Sequence, residues 1–250
     1  MSLRSRLLRL DRRSPAFVAS AVLVGVVLLV IAWLLVTRAD DGIPNAEDLA
    51  VRMDQRLSRV DTVQGTIQLV NGAVVIDQEL WIHRPLRLRA EVESGPPGLA
   101  PVGPNQKTTL VLSEEEAWFY NPNLGVATVT SRAGYSPAAN VDVGGSILES
   151  MPEAVLAALQ NAADIQILGE ERVAGRTMLR VQILLAQPLP PFDAQQLTVG
   201  LDREFYYPLL IETERGFSLR FQSVQFNQTI DPATFVFVPP AGIVVNRIDD

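Results

Sequence analysis

Residues 79–92 read ELWIHRPLRLRAEV, and their spacing decides the fold class. A first run, Leu80-Trp81-Ile82, stops at Arg84-Pro85. A second then alternates strictly, with Leu86, Leu88, Ala90 and Val92 on one side and Arg87, Arg89, Glu91 and Glu93 on the other. A period of two marks a β-strand with one apolar and one solvated face. Pro85 lacks the N–H that a ladder needs, so it belongs at a strand start just past a corner. Two strands that share an apolar surface across a corner imply a bent sheet. The rest of the chain must cover that surface.

The same alternation returns on both sides. Val63, Ile67 and Leu69 alternate with Gln64, Thr66 and Gln68, and Asn71-Gly72 gives a hairpin turn into residues 74–83. Beyond a Pro/Gly-rich loop at 94–106, strands are expected at 107–112, 116–121, 125–131, 165–173, 177–185, 195–202, 209–213 and 217–227. Glu114-Glu115-Glu116 reads as a solvated turn between two of them. In the last strand Phe217, Leu219 and Phe221 hold one phase while Val224 and Phe226 hold the other, which predicts a bulge near Gln222-Ser223. The pattern predicts about 11 strands in one antiparallel meander. Leu49, Met53, Leu57 and Val60 recur at helical spacing behind Asn45, a good N-cap. A second helix is expected from about Ser150, with Pro152 in its first turn and Val155, Leu156 and Leu159 as its apolar stripe. The expected fold is α+β: a strongly curved antiparallel sheet, a half-open barrel, covered by two amphipathic helices.

The chain has 250 residues, no Cys, one His and a net charge of −7. Without Cys there are no disulfides, thiolate metal sites or lipidated N-terminal Cys. Six of the 21 basic residues but only one of the 28 acids precede residue 39, so the remainder carries −12. So acidic a domain is not expected to bind nucleic acid or anionic headgroups through a basic patch. Residues 1–14 form a basic tail and 15–36 an uncharged Val/Leu-rich run. As helix that run spans about 33 Å, enough for a bilayer core. It is expected to be a transmembrane anchor with its Arg-rich side in the cytoplasm. The alternative, a cleaved signal peptide, fits less well, because such leaders have apolar cores of only ~7–15 residues. Residues 37–44 read as a short linker, and 45–250 as an extracytoplasmic domain.

Four pieces carry a resemblance. They are Leu80-Trp81-Ile82-His83-Arg84-Pro85; Ala117-Trp118-Phe119-Tyr120-Asn121-Pro122; Leu57-Ser58-Arg59-Val60 leading into Thr66-Ile67-Gln68; and the Phe226-Asn227…Ile230…Phe235-Val236-Phe237…Pro240…Gly242 ending. In this order and spacing, residues 45–245 resemble the LolA/LolB lipoprotein-localisation carriers of the bacterial cell envelope. The resemblance implies a half-barrel with a helical lid and an apolar cavity for acyl chains of lipoproteins or lipids. It also implies that Arg84, matching the Arg of the family's RP motif, fixes the lid by hydrogen bonds. Leu88 stands where the family often carries a large aromatic. If the Leu86, Leu88 and Val92 phase faces inward, then Ile67, Leu69, Leu80, Ile82, Val181 and Ile183 are its expected neighbours, with Trp118 and Tyr120 as further lining. The anchor and the long 94–106 loop depart from the type members. They favour local hand-over of lipid, or sensing through an envelope protein partner, over long-range shuttling.

Nothing in the sequence assembles an enzyme. There is no GxSxG, HExxH or Walker A pattern, and His83 has no second His with which to form a triad or zinc site. Asp202, at a strand end before a Tyr/Pro-rich segment, reads as turn chemistry. No catalytic residue, metal or cofactor is expected. Two functions are: a tethered lipid or lipoprotein carrier, or a sensor or scaffold that binds a partner protein.

Overall fold

The computed structural model describes residues 45–85, 87–103, 106–135 and 145–248. The expected tail, anchor and linker lie outside these residues, as does Leu86. Among the described residues no helix is long and apolar enough to cross a membrane. Helix α1 (Ala46–Leu57) precedes β1 (Thr62–Asn71), β2 (Val74–His83), β3 (Arg87–Ser94), β4 (Thr109–Leu112), β5 (Glu116–Asn121) and β6 (Val126–Ser131). Helix α2 (Gly145–Gln160) leads to β7 (Ala162–Val173), β8 (Arg176–Leu189), β9 (Ala194–Asp202), β10 (Pro208–Thr213), β11 (Phe217–Phe226) and β12 (Val244–Ile248).

Two expectations about topology change. The strands form one 12-stranded sheet in the order β12-β6-β5-β4-β3-β2-β1-β11-β10-β9-β8-β7. It is two meanders rather than one, joined where the first strand of one pairs with the last strand of the other. The added strand, β12, runs parallel to β6. Its Val244, Val245 and Ile248 do not alternate, and all five of its residues are exposed, so it leaves no periodic signal. The edge strands β7 and β12 do not pair with each other, and the sheet stays open. Helix α2 starts at Gly145, earlier than expected, and Pro152 lies inside it.

Register places the apolar residues on one face. A row runs across the sheet through Val181, Val199, Ile211, Leu219, Leu69 and Ile76. The predicted bulge lies in β11: Thr66 pairs with Ser223 and Ile67 with Phe221, leaving Gln222 as the extra residue. That single insertion brings Val224 and Phe226 onto the face that Leu219 and Phe221 already occupy. At this end of the sheet Glu171 on β7 meets both Arg180 on β8 and Arg220 on β11, each at 3.4 Å. In a flat sheet β7 and β11 would be about 19 Å apart, so twist accumulated over four strand steps must coil this half strongly.

The β1–β11 seam is tight. A Cβ on Gly65 would lie 2.0 Å from the carbonyl oxygen of Ser223, a backbone atom that cannot swing away. Gly65→Ala is expected to lower the unfolding free energy by about 2–3 kcal/mol, an overpacking cost against main chain. Urea titration of the variant checks this, with a loss under ~0.5 kcal/mol showing that the seam can relax.

Candidate functional site

Both helices lie over the apolar face. Leu49 and Met53 of α1, and Leu148, Met151, Val155 and Leu159 of α2, are buried in one core with Ile67, Leu69, Leu80, Ile82, Leu88, Val92, Val181 and Ile183. The latter eight are among the eleven expected lining residues, and each of the eight lies on the helix-covered face. Trp118 and Tyr120 do not. Trp118 pairs with Val111, which pairs with Arg89, and so points to the opposite face. There the returning C-terminal segment covers it: Phe237 packs 5.4 Å from Trp118 and 5.6 Å from Tyr120, ring centre to ring centre. Strands β4 and β5 are apolar on both faces, and alternation alone cannot choose between them.

Arg84 holds the centre of the arrangement. Its Nη1 donates to the carbonyl oxygen of Leu57 at 2.7 Å, at the C-terminal end of α1. Its Nη2 donates to Oε1 of Glu153 on α2 at 2.6 Å. Carbonyls at a helix C-terminus lack intrahelical donors and sit at the negative end of the dipole, so a cation there is doubly favoured. The Arg84 N–H also donates to the Asp61 carbonyl at 2.8 Å, fixing the backbone from which the side chain departs. One guanidinium thus ties both helices to the β2–β3 corner. Beside it a cleft of about 240 Å³ is lined by Ile82, Arg84, Pro85, Arg87, Leu88, Ser150 and Glu153.

Two polar groups under the helices escaped the sequence reading. Tyr207 is fully buried, with its ring 6.2 Å from that of Phe221 and 5.4 Å from that of Phe226, and its hydroxyl has no hydrogen-bond partner. Burial pushes this phenol far above its ordinary range; Arg84 opposes the shift and Glu153 adds to it. Gln78 is 0% exposed, and neither its amide oxygen nor its nitrogen has a partner. Its phase, between Ile76 and Leu80, was the available signal. Tyr207, next to Tyr206 and Pro208 in a turn, had none.

The residues considered for chemistry are otherwise employed. Asp202, 1% exposed, accepts from Arg176 Nε at 2.5 Å and from the N–H groups of Glu204 and Phe205 at 3.0 and 2.8 Å, as a turn carboxylate does. His83 is exposed, with its ring near Phe235. On the outer face the carboxylates of Glu79, Glu91 and Glu93 converge within 4.8 Å of one another. Lys107 pairs with Glu93 and, at 3.6 Å, with Glu91. Burial pushes the Glu79 carboxyl up, against the pull of Lys107.

The arrangement defines a class: a large, open, mostly antiparallel sheet with few helices, two of them held over its apolar face by an Arg-Pro corner. Solved structures share this fold at distant similarity. An uncharacterised conserved protein of Thermus thermophilus matches with a TM-score of 0.51 and 14% identity, over 82% of this chain and all of that one. MucB matches with a TM-score of 0.52 and 18% identity, over 78% of this chain and 65% of its own. MucB from the Pseudomonas aeruginosa MucA/MucB complex gives 0.50 and 16%, over 78% and 62%. The chain therefore spans just under two thirds of the MucB chains. No protein-family model matches, and no curated protein matches by sequence.

Arg84→Ala is expected to lower the unfolding free energy by about 2 kcal/mol, since it removes a charged donor from a helix-end carbonyl. Glu153→Gln should cost less than ~1 kcal/mol, because Glu153 is 55% exposed and its ion pair is screened. Chemical denaturation gives both values, and hydrogen exchange should show faster exchange at the end of α1 in the Arg84 variant alone. Equal effects would mean that the Leu57 contact contributes nothing.

Proposed function

We propose that residues 45–250 form a membrane-tethered, extracytoplasmic module that binds acyl chains of lipids or lipoproteins between the sheet and the two helices. In this reading the sheet is a half-open barrel and α1 and α2 are its lid, held shut by Arg84. One observation carries it: a single side chain of the Arg-Pro corner bridges Leu57 on one helix and Glu153 on the other, over a buried face that is apolar but for Gln78 and Tyr207. The resemblance to the lipoprotein-localisation carriers supports the same role for that Arg. The module binds and hands over; it performs no catalysis and needs no cofactor or metal. The N-terminal run holds it at the cell membrane, with its amino end in the cytoplasm.

The space under the lid is filled by the helices' own side chains, and the open cleft of about 240 Å³ is smaller than most ligand pockets. A chain can be taken up only if the helices move aside and the ligand replaces their apolar cover. Each Å² of apolar surface left bare would cost about 25 cal/mol, so an empty open state is disfavoured, and opening is coupled to loading.

A second reading is supported by MucB, which was solved in a complex with MucA. A partner protein could use the exposed Val244, Val245 and Ile248 of edge strand β12 by adding a strand.

Photolabelling of the full chain in membranes with a diazirine-bearing acyl probe distinguishes the two. The carrier reading expects adducts on α2 and on the row around Leu80 and Val181, more of them in Arg84→Ala, and fewer in Leu80→Glu. Adducts confined to the outer face, with one protein co-purifying in fixed ratio, would replace it with the partner reading.

A further inference from the structure

Gln78 lies in a row of β2 between Ile76 and Leu80, with Ile82 beyond, and all three are apolar and buried. Across the ladder it faces Ile67 on β1 and Val92 on β3, both 0% exposed. An amide in such surroundings, with both its oxygen and its nitrogen unpartnered, costs about 1–3 kcal/mol relative to a paired one. Leu or Met at this position would pack in similar volume without that cost. A second neutral polar group, the Tyr207 hydroxyl, is buried without a partner on the same helix-covered side, where its ring meets Phe221 and Phe226. Two such groups in an otherwise apolar interior call for a cause.

We propose that Gln78 is the polar anchor for the ester or amide linkage of the acyl ligand. The inference rests on the acyl-binding reading and specifies its ligand. Gln78 is four residues from Ile82, which lines the cleft beside Arg84, so it sits about 13 Å along the strand from the gate. A chain drawn in past Ile82 and Leu80 brings its linkage to the Gln78 amide, which both donates and accepts. The Gln78 amide carries no charge. It matches a neutral carbonyl linkage, whereas an ionised carboxylate or phosphate beside it would keep most of its desolvation cost. The orphan amide also raises the free energy of the closed, unloaded state, and that penalty is relieved when a ligand pairs with it.

The test uses the full chain in membranes, photolabelled with the acyl probe and competed by two diacylglycerol analogues with identical chains, one ester-linked and one ether-linked. Wild type should be protected about tenfold better by the ester analogue, the ratio expected for one buried hydrogen bond. Gln78→Leu, and Gln78→Met as a second apolar variant, should lose that preference, still bind both analogues, and melt no lower than wild type. Equal competition by the two analogues in wild type, a preference retained in the variants, or a lowered melting temperature in both variants would overturn the anchor while leaving acyl binding intact. Failure of the probe to label any form would instead remove the acyl-binding reading, and the anchor with it.

Discussion

The pairing of β1 with β11 is the contact on which the rest of the molecule depends. It fuses two meanders that would each otherwise end in a bare edge, and it does so only because Gly65 offers no side chain to the Ser223 carbonyl. The bulge beside it adds Gln222 and turns the end of β11 so that Val224 and Phe226 face the helices. The next residue, Asn227, adopts a left-handed conformation with φ of 56°. From there it accepts from the Asp61 N–H and donates to the Arg59 carbonyl, both at 2.9 Å. Those two residues lie in the connection from α1 to β1. The seam thereby sets where α1 ends, and so where the Leu57 carbonyl meets Arg84.

Arg84 contributes little to stability compared with the apolar residues around it. Its bond to Leu57 is charge-assisted and its pair with Glu153 is largely solvated, so together they amount to a few kcal/mol at most. The buried leucines and methionines of the two helices contribute about 1.5–3 kcal/mol each. The two contributions differ in kind. Apolar burial makes some cover necessary, while the directional bonds select this cover and this angle.

Much of the fold was legible because one face of the sheet is buried. Where only one face is apolar, period two reports it directly, as in β1–β3 and in Leu179, Val181 and Ile183 of β8. The bulge was legible for the same reason, since the apolar phase slipped by one residue. Alternation failed where both faces are covered: Trp118 and Tyr120 face the C-terminal segment, a contact of long sequence separation with no local trace. It failed again for β12, whose side chains are all exposed and which is held by its parallel ladder to β6 and an ion pair from Arg247 to Glu116. Pro152 misled in another way: prolines favour a first helical turn, yet this one lies inside α2, beside the buried Met151 and Val155. Arg84 was placed by its motif; Glu153, its partner, became visible only once α2 was laid across the sheet.

Helix α2 is joined to edge strand β7 through a single residue, Asn161, whose N–H and side chain both bond to the Ala157 carbonyl. Such an attachment leaves no slack for this end of the helix to slide or lift from β7. The helix is about 24 Å long, so a rotation of ~20° carries its far end about 8 Å while Val155 moves only ~3 Å. A hinge at Asn161 would therefore uncover Leu148 and Met151 before Leu159, since burial at the far end is released by the smallest angle.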